Sequence, residues 1–148
     1  MKKNAIIKSL RIIFIAAFVA ATAVLLSYEC GIIEKGTLAK VVSPSVAYMI
    51  QVVNVMLTII LVPFAIKGFT RSLGAAKGLS EDAILKLFAK RSLQRIFLLF
   101  IVIVMNEVAY YGLGYDGALY CGILAIGALV YSFPTRMVLE QFLCDKEK

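Results

Sequence analysis

Glu107 is the residue of this sequence best placed to do chemistry from within an apolar run. It is the one acidic side chain well inside such a run, and Asn106 stands beside it. An ionisable group in a membrane-type segment is by default a functional-site hypothesis, and its partner should be named. The partners come from an earlier apolar stretch. Gln51, Asn54 and Thr58 are spaced by three and four positions, so a helix carries all three on one face. If the two stretches run in opposite directions, Gln51 and Asn54 reach the depth of Glu107, roughly 9 Å below the outer end of its helix. This predicts a polar site between two helices in which Glu107 takes up a proton or a cation. The same residue types also make structural glue, because polar side chains hydrogen-bond across helix interfaces in lipid. The Gln51/Asn54/Thr58 stripe taken alone reads as such a seam.

Other chemistries are poorly served. The chain has no His, which removes the commonest metal ligand. Cys30, Cys121 and Cys144 are widely separated, with no C-x-x-C spacing, so neither a zinc site nor a disulfide framework is written here. Cys30 and Cys121 fall on the same side of the apolar runs and are expected as free thiols. No hydrolase triad, phosphate-binding glycine loop or pair of facing carboxylates occurs. The reading is therefore of a protein that is not an enzyme and that needs no metal and no cofactor.

A second candidate surface is basic. Between two pairs of apolar runs lies KGFTRSLGAAKGLSEDAILKLFAKRSLQR, residues 67–95, with seven Lys/Arg against Glu81 and Asp82. Within it Ser80 is placed to cap a helix whose first turn is acidic, which suits the positive end of the helix dipole. Ile84, Leu87 and Phe88 form an apolar face, while Lys86 and Lys90 stand one turn apart on another. That pattern predicts an amphipathic helix over 81–91, lying on a membrane surface or against a partner. Lys77, Lys86, Lys90 and Arg91 would then bind anionic lipid or a protein, at about 1 kcal/mol per charge near the leaflet. The bland alternative is that these charges only set orientation.

The elements that must position these residues follow from composition. Of 148 residues, 61% are hydrophobic and 17% charged, against about 45–50% and 25% for ordinary soluble domains. The apolar residues fall in runs, giving an expected all-α membrane protein: a four-helix transmembrane bundle with spans near 12–28, 46–66, 93–111 and 118–133, in one domain. The amphipathic helix precedes the third span, and residues 67–92 form a cytoplasmic basic loop. The first run carries an Ala21-Thr22-Ala23 cleavage-like pattern, but Val24-Leu25-Leu26 continues the apolar stretch, so it reads as an uncleaved span.

Orientation comes from charge. Fourteen of the sixteen Lys/Arg fall on the N-terminus, the central segment and the tail. Retention of basic residues in the cytoplasm then puts both termini inside the plasma (inner) membrane. Tyr28, Tyr48, Tyr110, Tyr111, Tyr115 and Tyr120 collect at the opposite interface, where an amphipathic ring is favoured. Ser9-Leu10-x-x-Ile13-Phe14 and Ser92-Leu93-x-x-Ile96-Phe97 hint at a duplicated hairpin. The net charge of +7 borders apolar runs, so the lipid bilayer rather than nucleic acid is the expected partner. Small residues on the first and fourth spans suggest a homo-oligomer or a membrane-protein partner. The functional expectation is a non-catalytic accessory or interaction protein; the alternative is a small oligomeric proton- or cation-coupled transporter using Glu107.

Overall fold

The computed structural model describes residues 2–75 and 80–144. Among them the chain is all-helical, in the order α1 (Lys2–Glu29), α2 (Thr37–Val41), α3 (Pro44–Ala75), α4 (Glu81–Leu113), α5 (Asp116–Tyr131) and α6 (Arg136–Cys144). Three helices, α1, α3 and α4, are long and apolar enough to cross a membrane. The fourth expected span, α5, is apolar but has 16 residues, about 24 Å of helix.

Local sequence explains where the helices start and stop. Pro44 opens α3, where its missing N–H costs nothing. The Ser80 hydroxyl accepts a hydrogen bond from the Ala83 amide at 3.4 Å and caps α4. Gly114 closes α4 at φ 66°, a left-handed conformation that glycine adopts without penalty. The short polar side chain of Asp116 suits a helix cap. The residue instead forms the first position of α5, behind Tyr115, and sets its charge against the helix dipole from inside the first turn. The Thr135 hydroxyl accepts from the Val138 amide at 3.4 Å and starts α6, giving the Pro134-Thr135 pair a plain structural role.

The helices are longer than the apolar runs that announced them. α3 continues through Lys67 and Arg71, and α4 begins at Glu81 and runs unbroken into the apolar stretch. The stretch 67–92 is thus mostly two helical extensions rather than a loop. Lys77 lies outside the described residues.

α4 is the axis of the molecule and packs against α1, α2, α3, α5 and α6. α1 runs parallel to it, with Lys3 2.7 Å from Glu81 at one end and Tyr28 stacked on Tyr111 at the other, ring centroids 4.9 Å apart. α3 and α5 run antiparallel to it. One apolar core joins Phe14 and Ala21 of α1, Val62 and Ala65 of α3, Ile96, Leu99 and Ile103 of α4, and Ala125 and Leu129 of α5. A second cluster at the basic end gathers Ile7, Leu10, Phe69, Ile84, Leu85, Phe88 and Leu139. Outside, Ile12, Ile15, Val19, Met56, Ile59, Ile60, Phe64, Ile123 and Leu124 are exposed. An apolar exterior of this kind suits lipid rather than water.

Small residues are divided between inside and outside. Ala21 and partly buried Ala17 face the core, whereas Ala16 and Ala20 face outward. Ala118, Gly122, Ala125 and Ala128 of α5 are all buried. The small-residue face of α5 is therefore consumed inside the chain and is not free for a second copy. Residues matched in the suspected duplication occupy opposite environments: Leu10 and Phe14 are buried while Leu93 and Phe97 are exposed, and Ser9 is exposed while Ser92 is buried. α1 lies at the periphery and α4 at the centre, so the two copies of the motif serve different surroundings.

Candidate functional site

The polar residues of α3 and α4 do meet, through Asn106 rather than Glu107. The Asn54 amide donates to Asn106 Oδ1 at 2.8 Å, and the Asn106 amide donates to Thr58 Oγ1 at 2.9 Å and to the Val102 carbonyl at 2.8 Å. Thr58 in turn donates to the Asn54 carbonyl at 3.0 Å. All three side chains are buried, and they hydrogen-bond one another. Gln51 is half-buried one turn nearer the tyrosine end. The cluster is a hydrogen-bonded seam between α3 and α4, bordered by a cavity of about 530 Å³ that Asn54 helps to line.

Glu107 points elsewhere. Adjacent residues on a helix project about 100° apart, so while Asn106 reaches α3, Glu107 lines a crevice of about 150 Å³ between α1, α4 and α5. Its walls include Leu25 from α1, Ile103, Tyr110 and Tyr111 from α4, and Leu119, Gly122 and Ile123 from α5. Glu107 is 9% exposed, and its Oε2 is buried without a hydrogen-bond partner. The expected five-residue site of Glu107, Asn106, Gln51, Asn54 and Thr58 is thus two features that adjoin at Asn106, which belongs to the seam and also lines the Glu107 crevice. One is a hydrogen-bonded amide–hydroxyl seam; the other is an isolated carboxyl in an apolar crevice.

At the tyrosine end, Tyr111 organises the chain around itself. Its hydroxyl donates to Glu29 Oε1 at 2.6 Å, its carbonyl accepts from the Gly36 amide at 2.8 Å, and Lys35 lies over its ring. Lys35 also pairs with Glu29 at 3.0 Å. Gly36, at φ 76°, turns the chain into α2. Leu38 then sits over Gly112, where a Cβ would come within 2.7 Å of Leu38 Cδ1. These contacts tie the α1–α3 connection onto the end of α4. Cys30 and Cys121 are free thiols, the first exposed.

At the basic end, the apolar face of 81–91 is occupied by the chain itself. Ile84, Leu85 and Phe88 are buried against Ile7, Leu10, Phe69 and Leu139, with Leu87 at the margin. The expectation that this face lies on a membrane or partner is corrected: the N-terminal turns of α1 and the tail helix α6 already cover it. Lys86, Lys90 and Arg91 stay exposed.

Two arginines that spacing did not single out also hold this end. Arg95 is 7% exposed; its Nη2 donates to the Ser132 carbonyl at 2.7 Å, and its guanidinium lies 3.9 Å from the Phe69 ring centroid. Arg11 donates from Nε to the Pro134 carbonyl at 3.3 Å and lies over Phe133. Both cations thus meet carbonyls where α5 ends, as the negative end of a helix dipole favours. A signal for Arg95 was available. The buried stripe Ile84, Phe88, Ser92, Arg95, Leu99, Val102, Asn106 advances by threes and fours along α4.

No protein-family model, no curated protein and no solved structure matches this chain. Its function has to be argued from its own residues.

Proposed function

We propose that the chain is a four-span protein of the plasma (inner) membrane with both termini in the cytoplasm, acting as a non-catalytic accessory or interaction protein. Two features support the fourth span. Arg11 to Tyr28 on α1 and Arg95 to Tyr111 on α4 each cover about 25 Å of helix, and α5 crosses the same distance. Ala118 and Leu119 line one crevice with Tyr110 and Tyr111 at the tyrosine end, and Ser132 reaches Arg95 at the basic end. A helix of 16 residues therefore matches the slab that its neighbours define. That slab is somewhat thinner than the typical hydrocarbon core of about 30 Å, a mismatch that local thinning accommodates at modest cost.

The observation that carries the functional reading is the division of labour in residues 81–91. The apolar face is satisfied within the chain, so what this extension offers outward is charge: Lys86, Lys90 and Arg91. A basic surface bordering a span meets the anionic cytoplasmic leaflet, and it seats the protein beside whichever membrane partner it serves. Ala16 and Ala20, small and outward-facing on α1, are the closest-approach face for a partner helix or a second copy. The test is flotation of the purified chain in its Lys86→Glu/Lys90→Glu form with vesicles containing anionic lipid, together with gentle-detergent pull-down. The double variant is expected to lose partner recovery and anionic-lipid preference by roughly tenfold or more, about 1 kcal/mol per charge. Unchanged association in both assays removes the basis for the proposal.

A second reading is favoured by one observation, the unpartnered Glu107 Oε2 in its crevice. On that reading the chain is a small oligomeric transporter coupled to a proton or cation, because an isolated carboxyl in apolar surroundings calls for a positive occupant. Glu107→Gln keeps the shape and deletes the charge. A transporter loses coupled flux in this variant while inserting normally; wild-type flux and growth in the Gln variant eliminate this reading.

A further inference from the structure

The groove between α3 and α4 at the basic end carries a guanidinium that the fold leaves incompletely used. Arg95 is more than nine-tenths buried, yet among the described residues it has no carboxylate partner, and its Nε has no hydrogen-bond acceptor. One donor goes to the Ser132 carbonyl. A carbonyl offsets only part of the cost of burying a full positive charge, and buried charges are ordinarily paired. Arg95 lines a cleft of about 70 Å³ with Arg91 and Gln94 of α4, and with Phe64, Gly68 and Phe69 of α3.

The composition of this cleft states what it would take. Arg91 and Arg95 stand four residues apart, so both project to one side of α4. Gln94 accepts from Arg91 Nη1 at 3.2 Å, which steadies that guanidinium at the rim. No acidic side chain lines the cleft. Gly68 opens room on the α3 wall, with no atom of another residue within 4 Å of where a Cβ would stand. An exposed guanidinium at the rim, Arg91, and a second buried charge behind it, Arg95, match a phosphate, which Arg91 can grip through paired N–H donors. The wall that continues toward the slab is apolar: Phe64 is 66% exposed, and partly buried Leu98 lies opposite it. That combination fits a headgroup phosphate with an acyl chain running up the outside of α3 and α4. Basic pockets between spans at the cytoplasmic interface are a known mode of lipid-headgroup capture.

We infer that Arg91 and Arg95, with Gln94, form a binding site for the phosphate of an anionic phospholipid in the α3–α4 groove at the basic end of the bundle. The inference rests on the proposal that this end faces an anionic leaflet, and it adds a discrete site to what would otherwise be a diffuse surface. Arg95 does two jobs there, holding the end of α5 through Ser132 and supplying a buried positive charge behind the cleft, while Arg91 meets the phosphate at the rim.

The full chain, purified in mild detergent, is exposed to phosphatidylglycerol, phosphatidylcholine or inorganic phosphate. Retained adducts are counted by native mass spectrometry, and melting temperature is followed in parallel. Phosphatidylglycerol should be retained in about 1:1 stoichiometry and should raise the melting temperature. Phosphatidylcholine should do so weakly, and inorganic phosphate hardly at all, because it lacks the acyl contact. Arg91→Gln, which touches no buried contact, should cut phosphatidylglycerol retention about fivefold, the equivalent of one interfacial charge. Lys86→Gln/Lys90→Gln, outside the cleft, should leave the 1:1 adduct in place. If the lysine pair abolishes retention and Arg91→Gln does not, the groove site is overturned while the basic-surface proposal survives. If wild-type protein shows no anionic preference, both fall. Equal protection by inorganic phosphate overturns the lipid assignment in favour of a free anion.

Discussion

Asn106, more than Glu107, is the residue on which the half of the bundle nearer the tyrosine end depends. It donates to Thr58 and to its own helix, and accepts from Asn54, so its removal strands two buried polar groups at once. Asn106→Leu should lower stability by about 1–2 kcal/mol, measured by denaturation in mixed micelles, since interhelical polar contacts in membranes are individually modest. Asn54→Leu should cost about as much, and the double variant less than the sum, because both break the same bond. Full additivity would show that the seam is not shared. The sequence placed Gln51 and Asn54 at the depth of Glu107 and put Thr58 on the same helix face; the meeting of Asn54 with this part of α4 was legible from helical spacing and opposed directions. Spacing did not show which of two adjacent residues would face α3. Residues 106 and 107 differ by about 100° of rotation, and the rotation of α4 is set by packing along its whole length. The orphan Glu107 Oε2 is the consequence of that choice.

At the scale of elements, α4 illustrates how an amphipathic pattern can be read correctly and assigned to the wrong partner. The apolar face at Ile84 and Phe88 exists as expected, but Ile7 and Leu10 of α1, Phe69 of α3 and Leu139 of α6 cover it. Periodicity reports that a face will be buried, and says nothing of what buries it. The missing information lay in the flanks. α1 begins at Lys2, well before its apolar run, and α6 folds back after Pro134. Both flanks entered the sequence reading only through their charge, as markers of orientation. The expected result for Phe88→Ala is a loss of about 3–5 kcal/mol in detergent without added lipid, as for a fully buried aromatic. A face that merely rested on lipid would tolerate the change in detergent, and a loss under about 1 kcal/mol would support that arrangement instead. Helix ends were better served by sequence: Ser80 and Pro44 act locally, through their own backbone neighbours.

For the molecule as a whole, the two ends of the bundle carry different chemistry, and α5 decides whether the tail lies on the same side as the start of α1. The tyrosine end is nearly neutral, with Glu29 and Glu34 paired to Lys35 and Lys40. The basic end holds Arg11, Arg95 and the exposed Lys86, Lys90 and Arg91. With four spans, both termini and the α3–α4 connection share the basic side; were α5 to stay on one side, the tail helix would part from α1. The most direct measurement uses an impermeant maleimide on intact cells expressing single-cysteine forms of the chain. One form keeps the exposed Cys30; the other carries Glu140→Cys, at an exposed position of α6. A four-span chain labels at Cys30 in intact cells, and at position 140 only after permeabilisation. Labelling of the position-140 cysteine in intact cells, with Cys30 shielded or not, would contradict four spans.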